Sequence, residues 1–457
     1  MRLISLAVIL SLTLAPVAEA QPPIRIGASL PKTGTYAVEG QNQLRGYQLC
    51  VKHTNEKGGV LGRKLELVVE DDQSQSTTAV RIYERLITQE KVHLVLGPWG
   101  SSNVEPVANV TEKHRMPMVS PTAATTSIFK KGRRFIFQVN SPAEGQLEGF
   151  VDLAARNKLK TIALINEDSL FPQAAVTGAS ELAKKRGLRA VFAEAYPKGT
   201  TDFSAILTRV RAATPDAFGA ATFFEDAVAI TRQMKELNLN PKMYAATVGP
   251  AQPKFYELLG RAAEFVYGVS QWEPELVTLR AGGLIPIARQ YPGAREFVES
   301  YRKEFPGANP SQLSASGYGA CQILVEAIRR AGSLDSEKLR DAILKMDHDT
   351  VFGAFRVDRD GLQIAHKMLL FQWQGWQEGD RLARGAGAGE AALPDSAVES
   401  APVTTDARIW HPWLRVNRVL RVMLHTRWSA EAWSQVKAEF TKALTLRSQI
   451  RRAGWFN

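Results

Sequence analysis

The sequence predicts an α/β fold of two doubly wound lobes, each a parallel sheet with helices on both faces. Between residues 24 and 140, short apolar runs alternate with segments whose apolar residues recur at helical spacing. The same alternation starts again at residue 161, and it is typical of parallel strands joined by crossover helices. A chain of 457 residues is long enough to bury two such cores.

The first unit is predicted to contain five strands and three helices. The strands are IRIGASL, KLELVVEDD, VHLVLG, MPMVSP and FIFQVN, which begin at residues 24, 64, 92, 116 and 135. The helices are expected over 42–57, 77–90 and 103–113, where apolar residues lie three and four apart. The first helix is expected to end at a Gly-Gly pair, which readily adopts the backbone conformation of a helix end.

The second unit repeats this order over residues 161–271. Its strands are TIALIN, AVFAEAYP, AFGAATF, KMYAATV and FVYGVSQ, and its helices are expected over 172–186, 203–212 and 226–237. A third stretch is mostly helical, over 294–305, 312–331 and 336–346. Two short strands, FGAFRVD from residue 352 and KMLLFQWQ from residue 367, close this part of the chain.

Residues 1–20 have the order of a secretory signal peptide. Arg2 precedes an apolar stretch over 3–14, and Ala18 and Ala20 are small residues suited to cleavage. The apolar stretch is too short for a comfortable membrane span. We therefore expect cleavage after Ala20 and a soluble, periplasmic mature chain.

The net charge of +11 is concentrated at the end of the chain. Residues 408–457 contain ten Lys or Arg and two Glu, so residues 21–407 are close to neutral. A nearly balanced body argues against a nucleic-acid partner, because such partners are bound by clustered basic residues. Five of the nine tryptophans also follow residue 400, which marks the tail as a different kind of sequence.

The last 79 residues are expected to lie outside the two-lobed body. Residues 379–407 are rich in Gly, Ala, Pro and Ser and are predicted to be a disordered linker. Residues 408–457 then place basic and apolar side chains at helical spacing: Arg415, Arg418, Arg421, Leu420, Met423 and Leu424. Such a helix suits a membrane surface. The preferred interpretation is an extension produced by a shifted reading frame at the gene end, or a loosely docked helix.

The chain has two cysteines, Cys50 and Cys321, and each lies in an apolar helical segment. In an exported protein they can form a disulfide. Two separate buried thiols are the preferred interpretation, because cysteine is among the most buried residue types.

The segment VLGPWGSSN, residues 95–103, is predicted to lie at a ligand site. It follows a strand, and ligands of open α/β sheets bind beyond the carboxyl ends of the strands. Ser102 and Glu105 have the spacing of a capping box, which predicts a helix N-terminus suited to a carboxylate. Ser101 and Ser102 add hydroxyl groups to that place.

A second hydroxyl-rich strand end follows at SPTAATTS, residues 120–127. Two such strand ends can hold a small acid or zwitterion by backbone and hydroxyl contacts alone. The alternative is a simple helix cap beside a polar loop. We favour binding because the two segments stand at equivalent ends of neighbouring strands.

These segments resemble the type I periplasmic solute-binding proteins of ABC transporters, the branched-chain amino acid receptor family. The matching segments occur in family order over about residues 24–378: IRIGASLPKTGTYAVEGQNQLRGYQL, NEKGGVLGRKLELVVEDDQS, LGPWGSS, MPMVSPTAATTS, INEDSLFPQ, DFSAILTRVRAATPDA, SASGYGACQILVEAI and TVFGAFRVDRDGLQ. The resemblance implies two lobes joined by three crossovers, with the ligand in the cleft. It also implies capture of a small carboxylate-bearing solute, first of all an apolar amino acid, for ABC permease subunits.

The resemblance implies lobe boundaries as well. Lobe 1 is expected to comprise residues 21–140 and 273–349, and lobe 2 residues 141–272 and 350–378. The crossovers are then expected near Asn140–Ser141, Ser270–Glu273 and Asp349–Thr350.

The resemblance also assigns site residues. Ser101 matches the serine that binds the ligand carboxylate, and Thr122, Ala123 and Ala124 match the segment that holds carboxylate and ammonium groups. Aromatic residues near strand ends are expected to line the cleft, with the core as the alternative: Tyr36, Trp99, Phe171, Phe223 and Phe224.

The chain departs from the family pattern around the expected ammonium. Phe171 and Phe223 stand where tyrosines are frequent, and Val248 stands near the position of the acidic residue. Four carboxylates are candidate replacements: Glu39, Asp168, Glu225 and Asp226. The alternative is an amine-free aromatic or aliphatic acid or amide, for uptake or for sensing.

The sequence shows no catalytic or metal motif. It lacks G-x-S-x-G, H-E-x-x-H and Walker patterns, and its seven histidines form no local ligand pair. We therefore expect a binding protein without a cofactor or metal rather than an enzyme.

Overall fold

The computed structural model describes residues 21–274 and 291–374, and the backbone of 421–424. The predicted signal peptide, the linker and the rest of the tail lie outside the described residues. Within them, no helix is both long and apolar enough to cross a bilayer. They contain two large units, which we call lobe 1 and lobe 2.

Lobe 1 is built on a parallel five-stranded sheet with the order β2-β1-β3-β4-β5. Its strands are β1 (Ile24–Leu30), β2 (Leu65–Asp71), β3 (Leu94–Leu96), β4 (Met118–Ser120) and β5 (Ile136–Gln138). The connecting helices are α1 (Ala37–Glu56), α2 (Ser76–Thr88), α3 (Ser101–Lys113) and the short α4 (Thr126–Phe129). Every residue of β1 except Arg25 is buried, so both faces of the sheet are covered.

Lobe 2 is built on a seven-stranded sheet with the order β14-β13-β10-β9-β8-β6-β7. Its parallel strands are β6 (Thr161–Glu167), β7 (Arg189–Tyr196), β8 (Ala217–Ala221), β9 (Met243–Ala246) and β10 (Tyr267–Ser270). The helices are α5 (Glu148–Arg156), α6 (Leu170–Lys185), α7 (Ser204–Ala212), α8 (Phe224–Glu236) and α9 (Pro253–Leu259). The predicted α/β fold of two parallel-sheet lobes is therefore confirmed.

The later part of the chain returns to lobe 1. The helices α10 (Ala294–Glu304), α11 (Gln312–Ala331) and α12 (Ser336–Leu344) are followed by a hairpin of β11 (His348–Thr350) and β12 (Gly353–Phe355). The chain then enters lobe 2 as β13 (Leu369–Gln372), which pairs antiparallel with β10. Helix bounds predicted from periodicity agree with these within a few residues except at the start of α1, which begins five residues before the predicted 42.

Residues 356–363 follow the expected third crossover in the chain but still contact lobe 1. Leu362 packs in the lobe 1 core with Ile136, and the N–H of Gln138 donates to the carbonyl of Gly361 at 2.8 Å. The side chain of Gln363 accepts from and donates to backbone groups on both sides of this contact. We propose that the third crossover follows Gln363, rather than lying at the expected Asp349–Thr350.

The tail adds a strand where the sequence predicted a helix. Residues Arg421–Leu424 form β14, which pairs antiparallel with β13 at the edge of the lobe 2 sheet. An edge strand offers a row of unpaired N–H and C=O groups that another extended segment can satisfy. The helical prediction is therefore wrong for these four residues, because an available sheet edge overrides a helical pattern.

The preference for two separate thiols is also wrong. Cys50 of α1 and Cys321 of α11 form a disulfide across a sequence separation of 271 residues. The two helices pack closely, because a methyl group at Gly46 would overlap the carbonyl oxygen of Ser314. Tertiary packing of distant segments, which periodicity does not reveal, brings the thiols together.

The disulfide gives a prediction about stability. A Cys50→Ala/Cys321→Ala variant should lose on the order of 2–5 kcal/mol of unfolding free energy, because the native cross-link restricts the unfolded chain. Urea unfolding of both proteins measures the loss, and the wild type in reducing buffer should match the variant. Labelling of two free thiols in the denatured, unreduced wild type would contradict the disulfide.

Candidate functional site

Four aromatic side chains meet between the two lobes and form an aromatic wall, defined as Tyr36, Trp99, Phe171 and Phe223. Tyr36 is the N-cap of α1 and Trp99 follows β3, so both belong to lobe 1. Phe171 lies in the first turn of α6 and Phe223 is the N-cap of α8, so both belong to lobe 2. The side chains come from strand ends and helix starts, which is where open sheets of this kind bind ligands.

The rings of the aromatic wall contact each other across the cleft. The ring centroid of Phe223 lies 5.0 Å from that of Tyr36, 5.0 Å from that of Trp99 and 5.8 Å from that of Phe171. Tyr36 and Trp99 are 4.6 Å apart. All four side chains are buried, so the lobes stand in a closed arrangement with an apolar, polarisable surface between them.

Phe224 does not join this wall. Its side chain packs in the core of lobe 2 with Phe218 and Phe255. For this aromatic residue, the core alternative holds, because the side chain after the helix N-cap faces the lobe interior.

Next to the aromatic wall, Ser101 and Thr122 form a hydroxyl cradle. The Ser101 hydroxyl accepts hydrogen bonds from the N–H groups of Ala124 and Thr125 at 3.2 and 3.3 Å. The Thr122 hydroxyl accepts from the N–H of Gly100 at 3.1 Å. The Ser101 oxygen is the acceptor in both bonds, so the hydroxyl hydrogen can still be donated to a nearby acceptor.

The N–H groups of the second strand end are engaged within the protein. The Ala123 N–H donates to the Ser120 hydroxyl at 3.3 Å, and the Ala124 N–H donates to Ser101. The Thr122 hydroxyl donates to the Gln43 side chain at 3.1 Å. In this closed arrangement, the Ala123 and Ala124 N–H groups are not free donors, and the Ala124 N–H supports Ser101.

The predicted capping box is absent. Helix α3 begins at Ser101 with Gly100 as its N-cap, and no side chain caps it. Glu105 instead pairs with Arg133, with the carboxylate 3.0 Å from the guanidinium. Ser102 is exposed at the second helical position, so the prediction that its side chain caps the helix is wrong. Glu105 forms an ion pair with an arginine from a later segment, and sequence spacing alone does not show this pairing.

The four candidate acids divide by burial. Asp168 and Glu225 are exposed, whereas Glu39 and Asp226 are buried. Glu39 accepts from the N–H of Phe224 at 3.1 Å and therefore bridges the lobes, and Asp226 accepts from the Tyr196 hydroxyl at 2.9 Å. Burial raises the pKa of both carboxyls to about 7.

A fifth acid, Glu167, was missed by the sequence reading. It ends β6, is fully buried, and accepts from the Tyr36 hydroxyl at 2.9 Å and the Ser169 hydroxyl at 2.7 Å. Burial raises its pKa. The available signal was its place in INED, directly after an apolar strand, where a carboxylate meets the cleft.

Lys198 is the cation beside this group of acids. Its ammonium lies 4.4 Å from the centre of the Tyr36 ring and donates to the carbonyl of Ser74 at 3.1 Å. It belongs to lobe 2, whereas both partners belong to lobe 1. An exposed cation of this kind contributes modestly to holding the lobes together.

Val248 stands near the position where the resemblance implies an acidic residue. It is half-buried and packs against the cluster that contains the aromatic wall. Its φ of 23° is unusual for a β-branched residue, which indicates local strain at this strand end.

Some buried polar atoms have no protein hydrogen-bond partner. In the described part of the chain they include Thr125 Oγ1, Thr222 Oγ1, Glu39 Oε2, Glu167 Oε2 and Gln252 Nε2. Buried polar groups are normally hydrogen-bonded, so atoms of this kind indicate where a polar ligand or water binds. The described residues contain no group of three or more His, Cys, Asp or Glu placed to hold a metal ion.

The sequence of the two lobes matches a known protein family. The family described as "Periplasmic binding protein" matches residues 23–380. The chain belongs to the periplasmic binding protein family.

This periplasmic binding protein is similar to proteins that are named for binding branched-chain or other amino acids. It is 25% identical to "Leu/Ile/Val-binding protein homolog 7" of Brucella suis over 79% of this chain and 92% of the relative. It is 25% identical to an "Amino acid binding protein" of Pseudomonas aeruginosa over 76% of this chain and 89% of the relative.

Solved structures of the same fold are similar along nearly their whole length. The leucine binding protein LivK of Thermotoga maritima is 26% identical, with a TM-score of 0.68 over 76% of this chain and 95% of that one. A solute binding protein of Rhodopseudomonas palustris, solved with 3,4-dihydroxy benzoic acid, is 21% identical, with a TM-score of 0.66 over 77% and 93%. The second likeness shows the fold alone.

Glu39 gives this periplasmic binding protein a predicted pH dependence. Its folded pKa of about 7 exceeds the ordinary value of 4.5, so the folded state holds its proton more tightly. The contribution of protonated Glu39 to the free energy of unfolding is therefore fully present below about pH 4.5, and it is lost as the pH rises towards 7. Glu39→Gln should remove this loss, so that the variant gains on the wild type by roughly 2 kcal/mol between pH 5 and 7.5.

Chemical unfolding at several pH values measures the difference between the two proteins. The exposed neighbour Glu225→Gln is the matched control and should follow the wild type. Parallel pH curves for wild type and Glu39→Gln would show that Glu39 does not titrate in this range.

Proposed function

We propose that the protein captures a small carboxylate-bearing solute in the cleft, without changing it chemically, and delivers it to the permease of an ABC importer. The single observation that carries the proposal is the aromatic wall joined to the hydroxyl cradle between two lobes. An apolar body fits against the rings, and an acid group fits beside Ser101. Export to the periplasm with cleavage after Ala20 belongs to the same proposal.

The first candidate ligand is an amino acid with an aliphatic or aromatic side chain. Its support is the similarity to LivK and to the Leu/Ile/Val-binding relatives. Glu39 and Glu167 supply the counter-charge in this proposal, because each is buried and has one oxygen without a protein partner. An ammonium placed beside them would lower their raised pKa values by stabilising the charged form.

The second candidate is an amine-free aromatic or aliphatic acid. Val248 supports it, because the apolar side chain gives an ammonium no counter-charge at that position. Phenylalanine at 171 and 223 adds ring surface without a hydroxyl. An amine-free acid that binds Ser101 through its carboxylate has no ammonium to pair with Glu39 or Asp226, and the protonated forms of these two carboxyls would not repel it.

Ser101 provides a test of the shared carboxylate site. Ser101→Ala should weaken binding by about 1.5–3 kcal/mol, or roughly 10- to 150-fold, because a charge-assisted hydrogen bond is lost. Isothermal titration calorimetry measures the change, with Ser102→Ala, an exposed neighbour, as the matched control. Equal affinities of the wild type and Ser101→Ala would remove Ser101 from the site.

The two ligand classes are separated by paired titrations. L-Leucine and L-phenylalanine are compared with 4-methylpentanoate and 3-phenylpropanoate, which lack the amine. An amino acid site predicts tighter binding of the first pair and a loss of that preference in Glu39→Gln, but not in Glu225→Gln. Tighter binding of the amine-free acids by the wild type would support the second candidate instead.

A further inference from the structure

The first two turns of α1 carry three hydrogen bonds from lobe 1 to lobe 2. The Tyr36 hydroxyl donates to Glu167 at 2.9 Å, and the Phe224 N–H donates to Glu39 at 3.1 Å. The Asn42 side chain donates to that of Gln252 at 3.0 Å. Each bond reaches a different segment of lobe 2: the end of β6, the start of α8 and the residue before α9.

The three α1 residues share one face of the helix. Tyr36, Glu39 and Asn42 are spaced by three positions, and residues three apart on a helix are neighbours on its surface. We name these three residues the closure face. Val38 adds to it, because its half-buried side chain packs against the hydrophobic core of lobe 2.

The other end of α1 is fixed to lobe 1. Cys50 is bonded to Cys321 of α11, and Gly46 lies against the backbone of that helix. Tyr47 donates to the carbonyl of Gly97 at 2.8 Å. The helix is therefore rigidly mounted on lobe 1 at its C-terminal half and meets lobe 2 with its N-terminal half.

We propose that the closure face holds the lobes in the closed arrangement and sets the ratio of closed to open molecules. The proposal rests on the proposed function only in treating lobe closure as the step that retains a solute. Opening separates Asn42, Glu39 and Tyr36 from their partners and exposes them to water. Each contact therefore favours the closed form, whether or not a solute is bound.

Asn42 is the residue best suited to test this role. Tyr36 belongs to the aromatic wall and Glu39 to the proposed counter-charge, whereas Asn42 belongs to neither. Asn42→Ala should lower the ratio of closed to open molecules about 2- to 10-fold, because one hydrogen bond between buried or half-buried amides is lost. Gln41→Ala on the exposed side of the same turn is the matched control.

The experiment measures the distance between the lobes in the solute-free protein. Nitroxide labels at Lys113→Cys on lobe 1 and Lys184→Cys on lobe 2 give distance distributions by pulsed electron paramagnetic resonance. The native cysteines do not react, since they are bonded to each other. Gln252→Ala and the Asn42→Ala/Gln252→Ala double variant complete a cycle in which the second change should add little to the first.

The outcomes decide the proposal. A smaller closed fraction in Asn42→Ala and Gln252→Ala, with non-additive effects and an unchanged Gln41→Ala, supports it. Equal distributions in all variants, fully additive effects, or a wild type that is only open would overturn it. Addition of L-leucine or 4-methylpentanoate forms a separate arm: failure of both to close the wild type counts against the proposed solutes, and leaves the solute-free comparison intact.

Discussion

The packing of α1 on α11 is the constraint on which the rest of the structure depends. Lobe 1 is assembled from two segments that are far apart in the chain, and α1 and α11 are where they join. The glycine at 46 permits close approach of the two helices, and the Cys50–Cys321 disulfide makes the join covalent. A fixed α1 then sets the position of Tyr36 at the cleft and of the face that meets lobe 2.

The cleft combines apolar surface with an excess of buried acid. Burial is the largest cause of the raised pKa of the Tyr36 hydroxyl. The nearby carboxyls of Glu167, Asp226 and Glu39 raise this pKa further. The positive charge of Lys198 lowers the pKa of Glu167 and so opposes part of the effect of burial. A buried carboxylate without a counter-charge is costly, so protons or a cationic group of a solute must balance this cleft. Charge in the cleft and closure of the lobes are thus linked, because two of the acids bond across it.

The hydroxyl cradle shows how the fold positions a small group without a catalytic device. Ser101 begins a helix of thirteen residues, so the partial positive end of that helix points to the same place as its hydroxyl. The neighbouring strand end donates two N–H groups to the Ser101 oxygen and thereby fixes its orientation. In the proposed function, this arrangement selects for an acceptor group on the solute, and the aromatic wall selects for the remainder of the solute.

The sequence by itself determined the alternation of strands and helices, because hydrophobic periods of two and 3.6 are local properties. It also singled out Tyr36, Trp99, Phe171 and Phe223, whose rings meet between the lobes. It failed where the partner is distant in the chain: the disulfide, the pairing of Glu105 with Arg133 and the strand at 421–424. It left open whether Phe224 faces the cleft or the core. Only the tertiary structure decided which acids are buried, since Asp168 and Asp226 look alike in sequence and differ only in what folds over them.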